Sequence, residues 1–249
     1  MEDNFNSLLK QIQSNKKNVV SYSPTLQSDI ELKSLTVDQQ SVILDSVSDI
    51  SLLQTNPIYL IIKFNTNFNN IIKQNLENEV YDKMTSVDRT NIIISFRKEI
   101  NEEMEQDDEI INLSKILERN KNINVIDFNE TVEKDGFKFK VSVPTLNKDT
   151  MVNKILSKKF KDNPSNNNLV SDIYLYEILK FVDSIQFEDD AEVEIKKDFK
   201  NLKLLKQINL STLSPVIKFI EKVRDYEEEF ITIPNSQEKL LLTPDLFVI

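Results

Sequence analysis

The sequence predicts an α+β fold, mainly helical with several β-hairpins and no repeating βαβ unit. Three observations predict it. Apolar residues recur at i, i+3 and i+4 over long stretches, as from Ile58 to Leu76, which is the helical period. Elsewhere they alternate with a period of two, as in Phe137, Phe139, Val141 and Val143, the mark of a half-buried strand. Short turns rich in Pro, Asp or Gly separate the alternating runs closely enough to make hairpins.

Taken in order, Phe5, Leu8, Leu9 and Ile12 predict a short amphipathic opening helix, a docking arm or a cap on the core. Val19–Ser23 and Ile30–Leu35 read as two strands around a six-residue loop, Pro24–Asp29, because Pro cannot donate a ladder hydrogen bond and the polar residues favour a turn. Thr36 with Gln39 is a capping-box pattern, so a helix runs from Val37 to about Ser46. Pro57 sits at a first-turn position behind Asn56 and starts the long helix. Thr85 and Ser86 offer caps for the next, whose Val87, Ile92, Ile93, Phe96 and Ile100 face the core. Ile110, Ile111, Leu113, Ile116 and Leu117 predict a helix over Asp108–Glu118.

After Asn122 the period switches to two, and a hairpin turns at Asp135-Gly136, where the only glycine supplies positive φ. Helices return at Thr150–Phe160 and Ser171–Ser184, then at Phe199–Ile208 and Pro215–Glu228. Phe230–Pro234 and Lys239–Ile249 read as a final hairpin. The segments Pro24–Asp29 and Pro144–Asp149 share Pro, Thr, Leu and Asp in register, which suggests two related halves, although over six residues similar turn chemistry arising twice is the favoured explanation. The expected organisation is 1–120, a hairpin plus helices, and 121–249, a hairpin, helices and a terminal β segment, or one continuous domain.

Composition closes several chemical routes. The chain has no His, Cys or Trp and a single Gly. Without His no side chain titrates near neutrality unless its environment shifts it. Without Cys there is no thiolate nucleophile, disulfide or zinc-thiolate site. One glycine cannot build a dinucleotide fingerprint or a Walker loop, which need several where backbone approaches phosphate. Asn, Lys and Ile are abundant and Arg is confined to Arg89, Arg97, Arg119 and Arg224, the imprint of an AT-rich genome, which itself explains part of the missing Gly, Ala and Trp. The net charge of −10, with Lys interspersed among Asp and Glu, repels a phosphate backbone, so no nucleic acid is expected as partner. The acidic, polar Met1-Glu2-Asp3-Asn4 is not a signal peptide, and no apolar run approaches the ~20 residues of a membrane helix. An intracellular protein without a membrane-spanning segment is expected.

Asp189 and Asp190 followed by Glu192-Val193-Glu194-Ile195-Lys196 match the acidic and Glu-x-Lys pattern of magnesium-dependent nucleases, but short charged alternations are ordinarily solvated strand edges. Asp107-Asp108-Glu109 reads as acidic residues at a helix start, and Glu227-Glu228-Glu229 as a charged face. Tyr174 and Tyr176 read as core and rim aromatics, not nucleophiles. Neither catalytic, cofactor-binding nor metal-binding residues are assigned. The candidate protein-interface residues are Asp88, Arg89 and Arg97, on one helix and placed to pair with acidic groups, and the apolar end Leu246, Phe247, Val248 and Ile249, a strand tucked on the domain or a docking tail.

Three segments together resemble the baseplate hub subunit family of T-even-like contractile-tailed phages. They are Tyr22-Ser23-Pro24-Thr25-Leu26 through Leu35-Thr36-Val37-Asp38-Gln39-Gln40; Ser86-Val87-Asp88-Arg89 with Phe96-Arg97; and Ser171-Asp172-Ile173-Tyr174-Leu175-Tyr176-Glu177-Ile178. The resemblance implies a non-enzymatic hub subunit or hub assembly factor without a cofactor. It would act in the host cytoplasm during assembly or stay in the tail baseplate of the virion. Its partners would be other phage baseplate hub proteins, with self-association also open. A generic intracellular protein-binding adaptor is the alternative reading, and a magnesium-dependent nuclease the third.

Overall fold

The computed structural model describes residues 17–46, 57–162, 169–195 and 202–247. The amphipathic pattern at Phe5–Ile12 lies outside them, as do Lys196, Val248 and Ile249. The fold is mixed α+β, with small antiparallel sheets set among helices.

Strands β1 (Asn18–Ser23) and β2 (Ser28–Lys33) form the first hairpin, with Val19, Ile30 and Leu32 turned inward. Its loop has four residues rather than the expected six, because Ser28 and Asp29 pair with Ser23 and Tyr22. Their polarity reflects the solvent face of a strand, not a turn. Helix α1 (Val37–Leu44) opens on the expected box: Gln39 N donates to Thr36 Oγ1 at 3.2 Å and Thr36 N donates to Gln39 Oε1 at 3.1 Å. Helix α2 (Pro57–Asn75) follows, then the single turn α3 (Asn78–Tyr81) and α4 (Ser86–Ile100). Helix α4 is buried on several faces: Val87, Ile92, Ile93, Ile94 and Phe96 are in the core, and so are Asp88, Asn91 and Ser95. A helix apolar on one stripe alone would not carry so many enclosed polar residues.

The helix expected over Asp108–Glu118 is corrected by the structure. Strands β3 (Glu103–Gln106) and β4 (Glu109–Asn112) form a hairpin, and helix α5 begins only at Leu113 and ends at Asn120. Asp107 and Asp108 are the hairpin turn, at φ 52° and 65°, a left-handed conformation that Asp tolerates better than most residues. The next hairpin, β5 (Asn129–Lys134) and β6 (Phe137–Ser142), turns at Asp135 and Gly136 with φ 52° and 81°. A Cβ on Gly136 would come within 3.2 Å of the Phe187 ring as well as occupying a left-handed backbone. Gly136→Ala is therefore expected to cost more than about 1 kcal/mol of stability in a urea unfolding experiment.

Helices α6 (Leu146–Asp162) and α7 (Leu169–Phe181) lead into β7 (Val182–Phe187), which pairs with β6; β8 (Val193–Glu194) adds a short edge to the sheet β5-β6-β7-β8. Val182 to Ser184 were expected to be helical, but Ser184 and Val182 take up register with Lys140 and Val141 instead. Toward the end, α8 (Leu202–Leu205) stops short of the expected Ile208, the start of that expected helix lying outside the described residues, while α9 (Ser214–Glu229) matches its pattern with Pro215 in the first turn. The terminal hairpin reduces to one bridge, Thr232 with Lys239, and a 3-10 turn at Pro244–Phe247.

Each apolar cluster draws on residues from both sides of position 120. The largest joins Tyr59, Leu60 and Val87 to α6, α7, α9 and the inner face of the four-stranded sheet. The second joins the first hairpin, α2 and α4 to Leu146, Leu246 and Phe247. The third packs Ile94, Ile111 and Ile116 against Ile233 and Leu240. The two repeated turn segments differ in form: Pro24 and Thr25 lie in a hairpin turn, whereas Thr145 caps α6, accepting from Lys148 N at 3.2 Å.

Candidate functional site

Both turn segments converge on the start of α4. Asp88 is completely buried; its Oδ1 accepts from Ser23 Oγ at 2.7 Å and Thr25 N at 3.0 Å, and its Oδ2 accepts from Thr85 N at 2.7 Å. On the other side Ser86 N donates to Pro144 O at 3.1 Å and Leu146 N to Met84 O at 2.9 Å. The turn at 84–86 thus holds the first hairpin and the start of α6 in fixed relation, and that places Arg89 opposite Asp149.

Asp149 is the centre of a buried ionic cluster. Arg89 Nη1 meets its Oδ2 at 2.6 Å and Lys180 Nζ its Oδ1 at 2.9 Å; Asn69 and Asn153 donate amide N–H groups to Oδ2 at 2.9 and 3.2 Å. Lys180 also reaches Glu177 at 2.6 Å, one helical turn away on α7. The side chains of Asp149 and Lys180 are only 4% and 6% exposed, so each needs the other's charge. Burial pushes the Asp149 carboxyl up, but Lys180 and Arg89 outweigh it and hold the carboxyl well below the usual range. For Lys180 burial acts downward, and Asp149 and Glu177 hold the ammonium above its ordinary value.

This cluster floors a cavity of about 580 Å³ between α2, α7 and α9. Its walls are apolar, with Ile62, Ile173, Ile178, Phe181 and Ile220 among them, and Ile58, Ile61 and Tyr174 stand exposed on its lining. From α9, Glu227 enters the lining; Ser86 Oγ donates to its Oε1 at 2.5 Å. Burial pushes the Glu227 carboxyl up, partly offset by the Ser86 hydroxyl and by Arg89. A size of a few hundred Å³ and a largely apolar surface are usual features of a binding cavity, and here seven charged side chains join the apolar ones in the lining. A larger recess of about 810 Å³ lies beside the start of α6, but its one buried lysine, Lys148, is tied to Val182 O at 2.9 Å and to Asp183.

Of the residues singled out from the sequence, Arg89 lines the cavity and pairs with an acidic group as expected. Asp88 and Arg97 are corrected: both are inside the fold because α4 is central, and neither offers surface to a partner. Among the described residues Arg97 meets no carboxylate in the expected way and its Nε has no hydrogen-bond partner; its Nη1 donates to Asn101 O at 3.0 Å, and burial pulls the guanidinium down. Leu246 and Phe247 are buried against α2, so they belong to the core, in a 3-10 turn and not a strand. Of the two tyrosines read as core and rim aromatics, Tyr176 is the buried one and Tyr174 the exposed one. Glu228 pairs with Lys239 on the surface, but Glu227 departs from the expected charged face by turning into the cavity. Glu192 sits at the sheet edge, paired with Lys140 at 2.8 Å and with the Ser184 hydroxyl, and among the described residues no group of acidic side chains is arranged to hold a metal ion.

The sequence reading did not bring out Asp149, Lys180 or Glu227 as a set. Only the Glu177–Lys180 spacing of three residues was a local signal.

The fold and site define a mixed α+β protein with an apolar cavity over a buried ionic cluster. No family model matches the chain, and no curated protein or solved structure matches it significantly.

Proposed function

We propose that the chain is a non-enzymatic component of the baseplate hub of a contractile-tailed phage, a hub subunit or hub assembly factor working through protein–protein contacts. What supports this is the convergence of the three segments that carry the resemblance. Ser23 and Thr25 are fastened to Asp88, while Ser86 and Arg89 from the second segment and Ile173, Tyr174, Glu177 and Ile178 from the third line one cavity. Exposed Ile58, Ile61 and Tyr174 add apolar surface at that cavity, the kind of patch that marks contact sites. The protein would work in the host cytoplasm during assembly, and a subunit would remain in the tail baseplate.

Deleting the gene from the phage that carries it is expected to stop tail assembly, with other hub proteins co-purifying with the wild-type chain. Mass spectrometry of purified virions separates the two roles: a stoichiometric amount marks a subunit, absence an assembly factor. Normal tails in the deletion mutant would overturn the baseplate reading in favour of a generic adaptor. Magnesium-dependent cleavage abolished by Glu194→Ala would overturn the non-enzymatic one.

A further inference from the structure

The cavity's charges are unevenly satisfied. Its lining has the carboxylates Asp149, Glu177, Glu221 and Glu227 against the cations Arg89, Lys180 and Arg224, four against three. Asp149 has two cations and two amide donors, and Glu177 shares Lys180, but the hydrogen bond on Glu227 comes from a neutral hydroxyl. Asn153, wholly buried and also in the lining, keeps its Oδ1 without a hydrogen-bond partner among the described residues. A buried acceptor without a donor, as at Asn153, and a buried carboxylate hydrogen-bonded only by a neutral hydroxyl, as at Glu227, are both costly, and a charged donor would serve both. An anionic ligand would add to the carboxylate excess. The exposed Ile58, Ile61 and Tyr174 require apolar matter beside that donor if they are to be covered.

We infer that this cavity receives a lysine or arginine side chain carried on an apolar segment of a partner protein, with Glu227 and Asn153 accepting its hydrogen bonds and Ile58, Ile61 and Tyr174 covering its apolar neighbours. The inference deepens the protein-binding reading and rests on it. A long basic side chain suits the cavity because its methylene stem lies along isoleucine walls while its charged end reaches the acceptors. The chain's net charge of −10 also favours approach of a basic partner.

The test uses the full chain and three short, capped, leucine- and alanine-rich helical peptides that differ at one central position, lysine, norleucine or glutamate. Calorimetry is expected to show the lysine peptide binding about tenfold or more tightly than the other two, the range of a charge-assisted hydrogen bond. Glu227→Gln keeps the side-chain shape and should remove most of that preference, and the uncharged Ile61→Asn on the exposed rim should weaken all three peptides. Equal binding of the lysine and norleucine peptides to the wild-type protein overturns the inference whether or not either variant folds. So does an undiminished preference in a folded Glu227→Gln protein. Butylammonium binding as tightly as the lysine peptide would mark a small-amine site instead and also overturn it. Normal tails in the deletion mutant would sink the baseplate role while leaving the peptide preference standing, so the two failures are distinct.

Discussion

Asp149→Ala is expected to destabilise the protein by about 3–5 kcal/mol, measured by urea unfolding at neutral pH, because it strands two cations in the interior. Lys180 would lose its partner at 2.9 Å while only 6% exposed, keeping Glu177 alone, and Arg89 would lose its contact at 2.6 Å. Asn69 and Asn153 would each lose an acceptor as well. Replacing the whole group by apolar residues of similar volume, Arg89→Met with Asp149→Leu and Lys180→Met, should cost much less than the single change, since a buried ion pair stabilises little relative to a packed apolar core. A triple variant as unstable as Asp149→Ala would show that the loss comes from packing and not from stranded charge.

The same cluster fixes the sign of the acid response. Because Asp149 is held below its unfolded value, its contribution is fully present above about pH 3.9 and is lost as pH falls from there through its folded value. The penalty of Asp149→Ala should therefore shrink below about pH 4. Glu227 runs the other way. Burial raises its folded pKa, so its contribution is present below the unfolded value and lost as pH rises through the folded one. Glu227→Gln should accordingly be more stable than the wild type at neutral pH and lose that advantage in mild acid, which a pair of denaturation series reads directly. A stabilising substitution at a cavity carboxylate is the usual mark of a site kept for binding at the expense of stability.

Local chemistry made much of the fold legible. Thr36 with Gln39 closes a capping box in the structure, Thr85 stands at the N-cap of α4 with its backbone N–H donating to Asp88 Oδ2, and Asp135-Gly136 turns where its residues require. The misreadings arise where a local pattern has two physical solutions. Asp107-Asp108 before an apolar run suits a helix start as well as a turn, and only pairing of β3 with β4 decides for the turn. Val182 continues the apolar run of α7, yet β6 offers it a ladder, and no feature before residue 182 signals that the ladder wins. The site was hidden for a related reason. Arg89 and Asp149 are 60 positions apart and Ser86 and Glu227 141, so their partnership exists only after α4, α6 and α9 have packed. Each charged residue alone reads as solvated, because charged side chains ordinarily are.

Phe247→Ala is expected to cost about 3–5 kcal/mol, as large as the loss at Asp149 but from a different cause. Phe247 is fully buried two positions from the end of the sequence, its ring 5.8 Å from that of Phe68 on α2, which in turn lies 5.7 Å from Phe64 and 6.0 Å from Phe96 on α4. Its backbone is fastened too: Gln40 Nε2 on α1 donates to Phe247 O at 2.6 Å. Truncation to Ala opens a void among rings that α2 and α4 hold in place, so little collapse can fill it. The choice between a tucked end and a docking tail becomes measurable here. A tail offered to a partner would lose affinity on truncation and leave unfolding of the free protein unchanged. The burial of Phe247 predicts the reverse, a large loss of stability in the isolated chain, and a free protein that unfolds at the same urea midpoint with and without the ring would return Leu246 and Phe247 to the interface.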